Sequence, residues 1–335
     1  MVFIQILLGG ITRLTGSGLS ITRWEIVTGT LPPLNAIQWE ESFTLYKDSP
    51  QYRKINQGMS ISQFKFIFFW EYIHRLWARS MGVIFLIPFL YFLFRGSLNK
   101  NLLRRLGVVV ILAALAAIFG WIMVVSGLKD RPWVDAYKLT IHLGLGVSLF
   151  IFLFLIWLRH HGHLKIHVDE RIHPKLRLIL ALAIIQFAFG GFLSGMKAAI
   201  AFPTWPLMNG SYIPGVLTDV RHWTMDNFLL YEKSGFMPAL VQFVHRNMAY
   251  LLLVLVVSFS VQLSKSVSVK WRWLSGSLIG IIVVQALLGI MTLLHSKGAI
   301  PLSYGVLHQG VGILLLAFLF YLNEIMKPQR TAQII

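Results

Sequence analysis

The sequence contains no cysteine among its 335 residues. Disulfides, thiolate metal sites and thiol nucleophiles are therefore excluded, and any metal or cofactor must be held by His, Met or carboxylate side chains. Charged residues are also scarce, at 13% of the chain, and only 13 Asp and Glu stand against 30 Lys and Arg. A composition this poor in charge and 56% hydrophobic lies outside the range of ordinary soluble domains. The sequence therefore indicates a protein that is dissolved largely in lipid.

Apolar runs recur along the whole chain, and most are long enough to cross a bilayer. A bilayer core of about 30 Å needs ~20 mostly apolar residues per helix. The first run is shorter than this, so we expect a further segment before Met1. The pattern predicts an all-α integral membrane protein with eight transmembrane helices, at residues 1–13, 66–94, 106–128, 139–158, 176–196, 238–263, 274–294 and 302–325.

The net charge of +17 comes from Lys and Arg grouped in short connections between apolar runs, for example Arg104 and Arg105. Such clusters are typical of cytoplasmic loops and give no reason to expect a nucleic-acid partner. The long connections, 14–65 and 197–237, contain turn signals and are predicted to face outward. No cleavable secretion signal or organelle import signal is evident. We therefore expect a multi-pass protein of a bacterial cytoplasmic membrane, with both termini in the cytoplasm.

An internal repeat relates the two halves of the chain. The run EYIHR at residues 71–75 is matched by QFVHR at 242–246, and IHLGLG around His142 is matched by LHQGVG around His308. Four spans separate each motif from its copy, so both halves keep the same orientation. The repeat predicts two pseudo-symmetric four-helix bundles, residues 1–165 and 166–335.

Each half places two histidines inside apolar spans, where a polar side chain is costly and needs a reason. Paired imidazoles facing each other suit haem iron, which takes axial histidines from a helix bundle. The alternative, a histidine that only hydrogen-bonds a neighbouring helix, is less favoured for four histidines at duplicated positions. Zinc or copper is less favoured because each half offers only two such ligands. The predicted haem ligands are His74 and His142 in the first half, and His245 and His308 in the second.

Residues next to these histidines suggest how a haem would be accommodated. Arg75 and Arg246 are candidate partners for haem propionates. Glycines that follow the second histidine of each pair are expected to offer a flat helix face to the macrocycle, namely Gly144, Gly146, Gly310 and Gly312. The remaining histidines are interpreted as solvated or structural: His160, His161, His163, His167, His173, His222 and His295.

The main difference between the matched motifs is Glu71 against Gln242. Glu71 precedes His74 by three residues, so both project from one side of a helix. A carboxyl group there can exchange protons, whereas the amide cannot. The first half is therefore predicted to perform chemistry and the second to hold a stable cofactor. A simple salt bridge between Glu71 and Arg75 is the alternative.

The chain resembles the haem A synthases over nearly its whole length. The resemblance rests on GGITRLTGSGLS at residues 9–20, the Leu31-Pro32-Pro33 turn, EYIHR at 71–75, His142, the His245-Arg246 pair and His308. Some bacterial members carry a cysteine pair in the first outward loop. Because this sequence has none, it is similar to the cysteine-free branch of the family.

The resemblance implies an oxidoreductase that converts one methyl group of haem O to a formyl group by successive hydroxylation. It also implies that His245 and His308 hold a haem B cofactor, that His74 and His142 border the haem O site, and that Glu71 takes part in the reaction. Implied or candidate partners are the bilayer, haem O synthase, an unidentified electron acceptor and a second copy of the chain.

Two other functions are compatible with the sequence. A di-haem b-type membrane protein that only transfers electrons would need the four histidines but not Glu71. A transporter with parallel repeats would need sites at the middle of the membrane and interrupted helices. The histidines are predicted near the outer ends of uninterrupted spans, so the transporter is ranked last.

Overall fold

A computed structural model describes residues 1–23, 28–129, 131–162 and 165–326, and they are predominantly helical. Over these ranges the β-structure consists of one isolated bridge between Met208 and Ser211. Seven of the described helices are long and apolar enough to cross a membrane. They correspond to the last seven predicted spans, and the first predicted span is a helix of 13 residues. The prediction of an all-α membrane protein is confirmed.

The chain divides into two compact units, Met1–Phe150 (unit 1) and Ile151–Ile335 (unit 2). The division falls inside a long helix, 15 residues before the boundary that the sequence repeat suggests. In each unit we call the end that carries the long connections the long-loop end.

The described residues of unit 1 form six α-helices, of which the last continues into unit 2. They are α1 (Val2–Leu14), α2 (Ala36–Lys47), α3 (Pro50–Lys54), α4 (Ile61–Phe94), α5 (Lys100–Lys129) and α6 (Ala136–His160). The closest backbone packing among the long helices of this unit is between α1 and α4.

Helix α4 begins five residues before the predicted span, 66–94, and ends with it at Phe94. Its 34 residues span about 50 Å, against the ~20 residues that a bilayer core requires. The extension exists because Ser60 and Gln63 form a capping box, in which each side chain bonds the other residue's backbone N–H. The first turns of α4 therefore project past the membrane at the long-loop end.

An aromatic cluster fixes the connecting helix α2 against this projecting part of α4. The Phe64 ring stacks on Phe43 and Tyr46, with centroids 4.9 Å and 5.2 Å apart. Phe68 completes the cluster, and all four rings are buried. Burial of these rings stabilises the folded part of the connection between α1 and α4, which we call the first cap.

The described residues of unit 2 form seven further α-helices after α6. They are α7 (His173–Gly195), α8 (Ala198–Ala201), α9 (Gly215–Thr218), α10 (Met225–Leu229), α11 (Phe236–Ser266), α12 (Trp273–Leu294) and α13 (Leu302–Ile325). The four long ones pack closely, α11 against both α7 and α12, and α13 against α12 and α7. A continuous apolar core runs between them and includes Ile179, Val256, Leu278 and Leu319.

The basic connection after α6 is tied to the end of α13. Arg159 Nη2 lies 3.0 Å from Glu324 Oε2, and Lys165 Nζ donates to the Glu324 carbonyl at 2.6 Å. Just after α6, the His161 Nδ1 bonds the carbonyl of Trp157 in the last turn of that helix. His163, interpreted as a loop residue, lies outside the described residues. These contacts indicate a structural role for the basic residues at this end of unit 2.

Candidate functional site: paired histidines beneath two caps

The two histidines of unit 2 face each other from different helices. His245 lies on α11 and His308 on α13, and their ring centroids are 6.4 Å apart at an interplanar angle of 75°. Two imidazoles bound to opposite sides of one iron have centroids about 6 Å apart, because each nitrogen lies about 2 Å from the metal. The pair therefore fits a single haem iron held between the rings.

A glycine on a neighbouring helix makes room for each ring of this pair. A Cβ built on Gly289 of α12 would lie 2.9 Å from Cε1 of His308, closer than real Cβ contacts come. A Cβ on Gly190 of α7 would lie 3.4 Å from Cε1 of His245. The His308 ring therefore occupies space that a side chain at position 289 would fill, whereas a Cβ at position 190 would make ordinary van der Waals contact with the His245 ring.

The packing of each histidine against a glycine of a neighbouring helix also occurs in unit 1. His74 on α4 lies against Gly9 of α1, where an added Cβ would be 3.1 Å from its Nε2. His142 on α6 lies against Gly120 of α5, where a Cβ would be 2.9 Å from its Cε1. Each of the four predicted haem-binding histidines thus lies against a glycine.

Backbone carbonyls orient one ring in each pair. Nδ1 of His142 is 2.8 Å from the Ala116 carbonyl oxygen, and Nδ1 of His308 is 3.2 Å from that of Gln285. An Nδ1–H donated to a carbonyl leaves Nε2 with its lone pair free to bind a metal. Each carbonyl lies one helical turn before the glycine on which the ring packs. One face of the neighbouring helix therefore supplies both the space for the ring and the acceptor that orients it.

Sequence reasoning missed Gly120 and Gly289. It selected glycines on the histidine helices instead, but a Cβ on Gly144 would meet nothing within 4 Å. A Cβ on Gly312 would meet the Gln285 side chain at 3.0 Å, with no histidine among its three nearest atoms. A signal existed, because Gly120 and Gly289 occupy similar places in matched spans, just before a repeated Ile-Met pair.

Glu71 lies buried beside His74, at 2% exposure, with both carboxylate oxygens occupied. Arg75 donates from Nη2 and Nε to Oε1 at 2.6 and 3.1 Å. Ser20 Oγ and the Ile21 backbone N–H donate to Oε2 at 2.7 and 2.9 Å. Glu71 is therefore an ion-pair partner and an anchor for the loop after α1, and the salt bridge considered from sequence is present.

The matched residues of unit 2 also anchor the connection between α7 and α11, residues 196–235, which we call the second cap. They do so by different hydrogen bonds. Gln242 donates from Nε2 to the Phe202 carbonyl at 2.9 Å. Arg246 donates from Nη2 to the same carbonyl at 2.9 Å and from Nη1 to that of Leu207 at 3.3 Å. Its Nε is buried without a hydrogen-bond partner among the described residues. Gln242 therefore faces a hydrogen-bond acceptor of its loop, whereas Glu71 faces hydrogen-bond donors of the loop in unit 1.

Comparison with known proteins gives the family. A family model described as "Cytochrome oxidase assembly protein" matches residues 1–320. The chain is 38% identical over 342 residues to "Heme A synthase" of Bradyrhizobium diazoefficiens, covering 99% of this chain and 90% of that protein. It is 40% identical over 318 residues to "Heme A synthase" of Sinorhizobium medicae, covering 94% and 84%. The chain belongs to the haem A synthase family. The "Heme A synthase" of Flavobacterium psychrophilum is 38% identical over 328 residues, covering 96% of this chain and 93% of that protein.

In this member of the haem A synthase family, replacing Arg246 by Met should loosen the second cap. The guanidinium is 8% exposed, and its loss removes a donor from each of two carbonyls. Hydrogen bonds made by a charged donor contribute about 1.5–3 kcal/mol each, so the thermal unfolding midpoint of the purified protein should fall by several degrees. The cap should also become sensitive to protease.

The matched control for Arg246→Met is Arg221→Met in the same cap. The Arg221 side chain is 87% exposed, and its ion pair with Asp219 is solvated. We expect no measurable shift in its unfolding midpoint. Equal behaviour of the two variants would contradict the anchoring role of Arg246 in this haem A synthase family member.

Proposed function

We propose that this chain is an oxidoreductase that converts one methyl group of haem O to a formyl group, giving haem A. Relatives named "Heme A synthase" match it over nearly their full length. The observation that carries the proposal within the chain is the glycine-packed histidine pair in each unit. Two histidine pairs in one chain suit an enzyme that has a haem as its substrate and another as its cofactor.

The first unit is proposed to bind the substrate haem O between His74 and His142. Its long helices are less continuously packed than those of unit 2, whose four helices enclose one apolar core. A substrate must enter and leave, so a less consolidated bundle suits a transient occupant. Arg75, already bonded to Glu71, lies one residue from His74 and is the proposed contact for a propionate.

The second unit is proposed to hold haem B through His245 and His308. His245 and His308, whose ring centroids lie 6.4 Å apart, would hold the haem iron, and the unbonded Arg246 Nε is available to a propionate oxygen. When bound, a haem ligated in this way supplies one-electron redox capacity. The chain's own contribution is to fix both rings, through Gly190, Gly289 and the Gln285 carbonyl.

Glu71 is proposed to act on the reaction mainly through its charge. Oxidation of a methyl carbon builds positive charge, and a fixed carboxylate nearby stabilises it. With both oxygens already accepting hydrogen bonds, Glu71 must give up a bond to Arg75, Ser20 or Ile21 before it can take a proton. The contacts thus favour electrostatic stabilisation over proton transfer.

The proposed setting is a bacterial cytoplasmic membrane, with the long-loop ends outward and both termini in the cytoplasm. Support comes from the basic residues in the short connections. Haem O synthase is the proposed supplier of substrate, because haem O is a poorly soluble molecule that is best transferred within the membrane. The electron acceptor has no assigned site.

The test compares the haems of a host strain that depends on this gene with those of its deletion mutant. We expect haem A to disappear on deletion, haem O to accumulate, and the gene to restore haem A. Extracted haems are separated by chromatography and identified by mass. Unchanged haem A in the deletion strain would instead support a di-haem electron-transfer protein, which needs the histidines but makes no haem A.

A further inference from the structure

Arg13, near the end of α1, is a charged residue with no role in the reaction described so far. Its guanidinium makes no hydrogen bond and no ion pair with any residue that the structure describes. The side chain is half-buried, and the surrounding protein withdraws it from water. A desolvated charge without a partner destabilises a protein, so the missing partner is expected to be a ligand.

One side of α1 packs on α4, the helix that carries His74. Gln5 Nε2 donates to the His74 carbonyl at 3.1 Å, and Thr12 Oγ1 donates to the Trp70 carbonyl at 3.2 Å. Gly9 lies between these two contacts, where an added Cβ would be 3.1 Å from His74 Nε2. Residues at this spacing share one face of a helix, so Gln5, Gly9 and Thr12 mark the α4 side of α1.

Another side of α1 faces α6, the helix that carries the second histidine of the pair. A Cβ built on Gly146 would lie 3.7 Å from Cγ1 of Ile6. The rings of Phe3 and Phe150 have centroids 5.8 Å apart. Phe3 and Ile6 therefore mark the α6 side of α1, and the order of these contacts shows that the two helices are antiparallel.

Arg13 lies between the α4 side and the α6 side of α1. Successive residues of a helix point about 100° apart, which puts the direction of Arg13 between those of Gly9 and Ile6. Extending the antiparallel pairing by one turn beyond Ile6 reaches the level of His142, and Gly9 contacts His74. Arg13 follows both levels by about one helical turn, so its side chain starts beside the space between the two histidines.

Unit 2 has no cation at the position that matches Arg13. Gln186 Nε2 donates to the His245 carbonyl at 3.0 Å, as its counterpart in unit 1 does to that of the matched histidine, so α7 and α1 have the same register on their partner helices. In this register the match of Arg13 is Ser194. A charge that the repeated fold required would be expected in both units. A charge that only one unit carries is better explained by what that unit binds.

The ligand proposed for unit 1 has two carboxylates, because haem O carries two propionates. Arg75 is the contact proposed for one of them, and its charge is already balanced by Glu71, at 2.6 Å. The charge of Arg13 is balanced by no carboxylate among the described residues. A propionate near Arg13 would therefore neutralise both itself and the guanidinium.

We propose that Arg13 binds a propionate of the haem O held in unit 1 and selects a substrate whose propionates are free. The proposal rests on the proposed function, because it assumes that unit 1 binds haem O. Guanidinium–carboxylate pairs are about twice as strong as neutral hydrogen bonds and are frequently bidentate. Such a pair therefore fixes the orientation of the macrocycle as well as its affinity.

The test titrates the purified full-length protein, carrying the haem of unit 2, with haem O and with haem O dimethyl ester, in which both carboxylates are capped. Binding is followed by the visible spectrum, without turnover. Arg13→Gln removes the charge and Arg13→Lys keeps it. Arg53→Gln is the matched control, because it removes a cation of the same unit whose side chain is 66% exposed. The thermal unfolding midpoint of each variant is measured without haem O.

We expect Arg13→Gln to weaken haem O binding about tenfold and Arg13→Lys to weaken it less. The dimethyl ester should bind the unaltered protein more weakly than haem O does, and equally well to Arg13→Gln, because it offers Arg13 no carboxylate. The unfolding midpoint of Arg13→Gln should be no lower than that of the unaltered protein, since an unpaired desolvated charge is removed. Arg53→Gln should bind both compounds like the unaltered protein.

Equal affinity of Arg13→Gln and the unaltered protein for haem O would overturn this proposal and leave the proposed function standing. The same loss of affinity for haem O and for its ester would also overturn it, because Arg13 would then support the fold and not a carboxylate. An unaltered protein that binds no haem O would contradict the proposed function together with this proposal.

Discussion

Replacing Gly289 by Ala should remove most of the haem from unit 2. The new Cβ would lie 2.9 Å from Cε1 of His308, while Nδ1 of that ring is held by the Gln285 carbonyl. Overpacking of this kind costs roughly 1–3 kcal/mol, which weakens ligand binding roughly ten- to hundredfold. The measurement is haem content per chain, by pyridine haemochrome and mass spectrometry, with the visible spectrum reporting loss of axial ligation.

Gly280→Ala is the matched control, because Gly280 lies on the same helix and a Cβ there meets nothing within 4 Å. Alanine has the higher helix propensity at both positions, by about 1 kcal/mol. Any loss at position 289 must therefore come from the His308 ring and not from the helix. Full haem content in Gly289→Ala would show that the ring can be displaced at no cost, and the assigned ligand geometry would be wrong.

Replacing Glu71 by Gln should abolish haem A formation, with at least a hundredfold loss, and leave the haem of unit 2 in place. The substitution removes the counter-ion of Arg75, whose side chain is 13% exposed, and breaking a buried ion pair costs about 3 kcal/mol or more. It also sets the amide NH₂ against a donor whichever way the amide is turned, either Arg75 or the Ser20 Oγ and Ile21 N–H groups. The measurement is conversion of haem O to haem A by the purified enzyme or in cells.

Two further variants separate the charge of Glu71 from its anchoring role. Ser20→Ala removes one hydrogen bond to the carboxylate but keeps its charge, so it should retain most activity. Glu40→Gln removes an exposed carboxylate of α2, paired only at 3.7 Å with Lys47, and should behave like the unaltered protein. If Ser20→Ala were as inactive as Glu71→Gln, loop order and not charge would explain the loss.

The membrane fold could be predicted almost entirely from the sequence, because apolar runs of sufficient length have few alternatives to a spanning helix. The seven long helices lie where hydropathy places them. The early start of α4 at Ile61 was not predicted, since it depends on a capping box and on aromatic packing against α2. The residues involved can be read from the sequence, but the sequence does not show that they contact one another in the folded loop.

The site residues were selected by repetition, but their contacts were not predictable. The histidines that face each other in unit 2 were identified from the repeat alone. The bonds of Glu71 and Arg246 were not, because their partners lie about 40 to 50 residues away in loops without regular periodicity. The glycine against each histidine belongs to another helix, and helix pairing cannot be derived from hydropathy.

The opposite polarity of the two loops constrains how the halves could have diverged. Glu71 meets a hydroxyl and an N–H, whereas Gln242 meets a carbonyl. If Gln replaced Glu71, its amide NH₂ would face a hydrogen-bond donor. If Glu replaced Gln242, its carboxylate oxygen would face the Phe202 carbonyl, which is an acceptor. Reversion at either position therefore requires a compensating change in a distant loop. Such coupling makes either residue hard to exchange by stepwise mutation, and it would preserve the proposed difference in role between the halves over long evolutionary times.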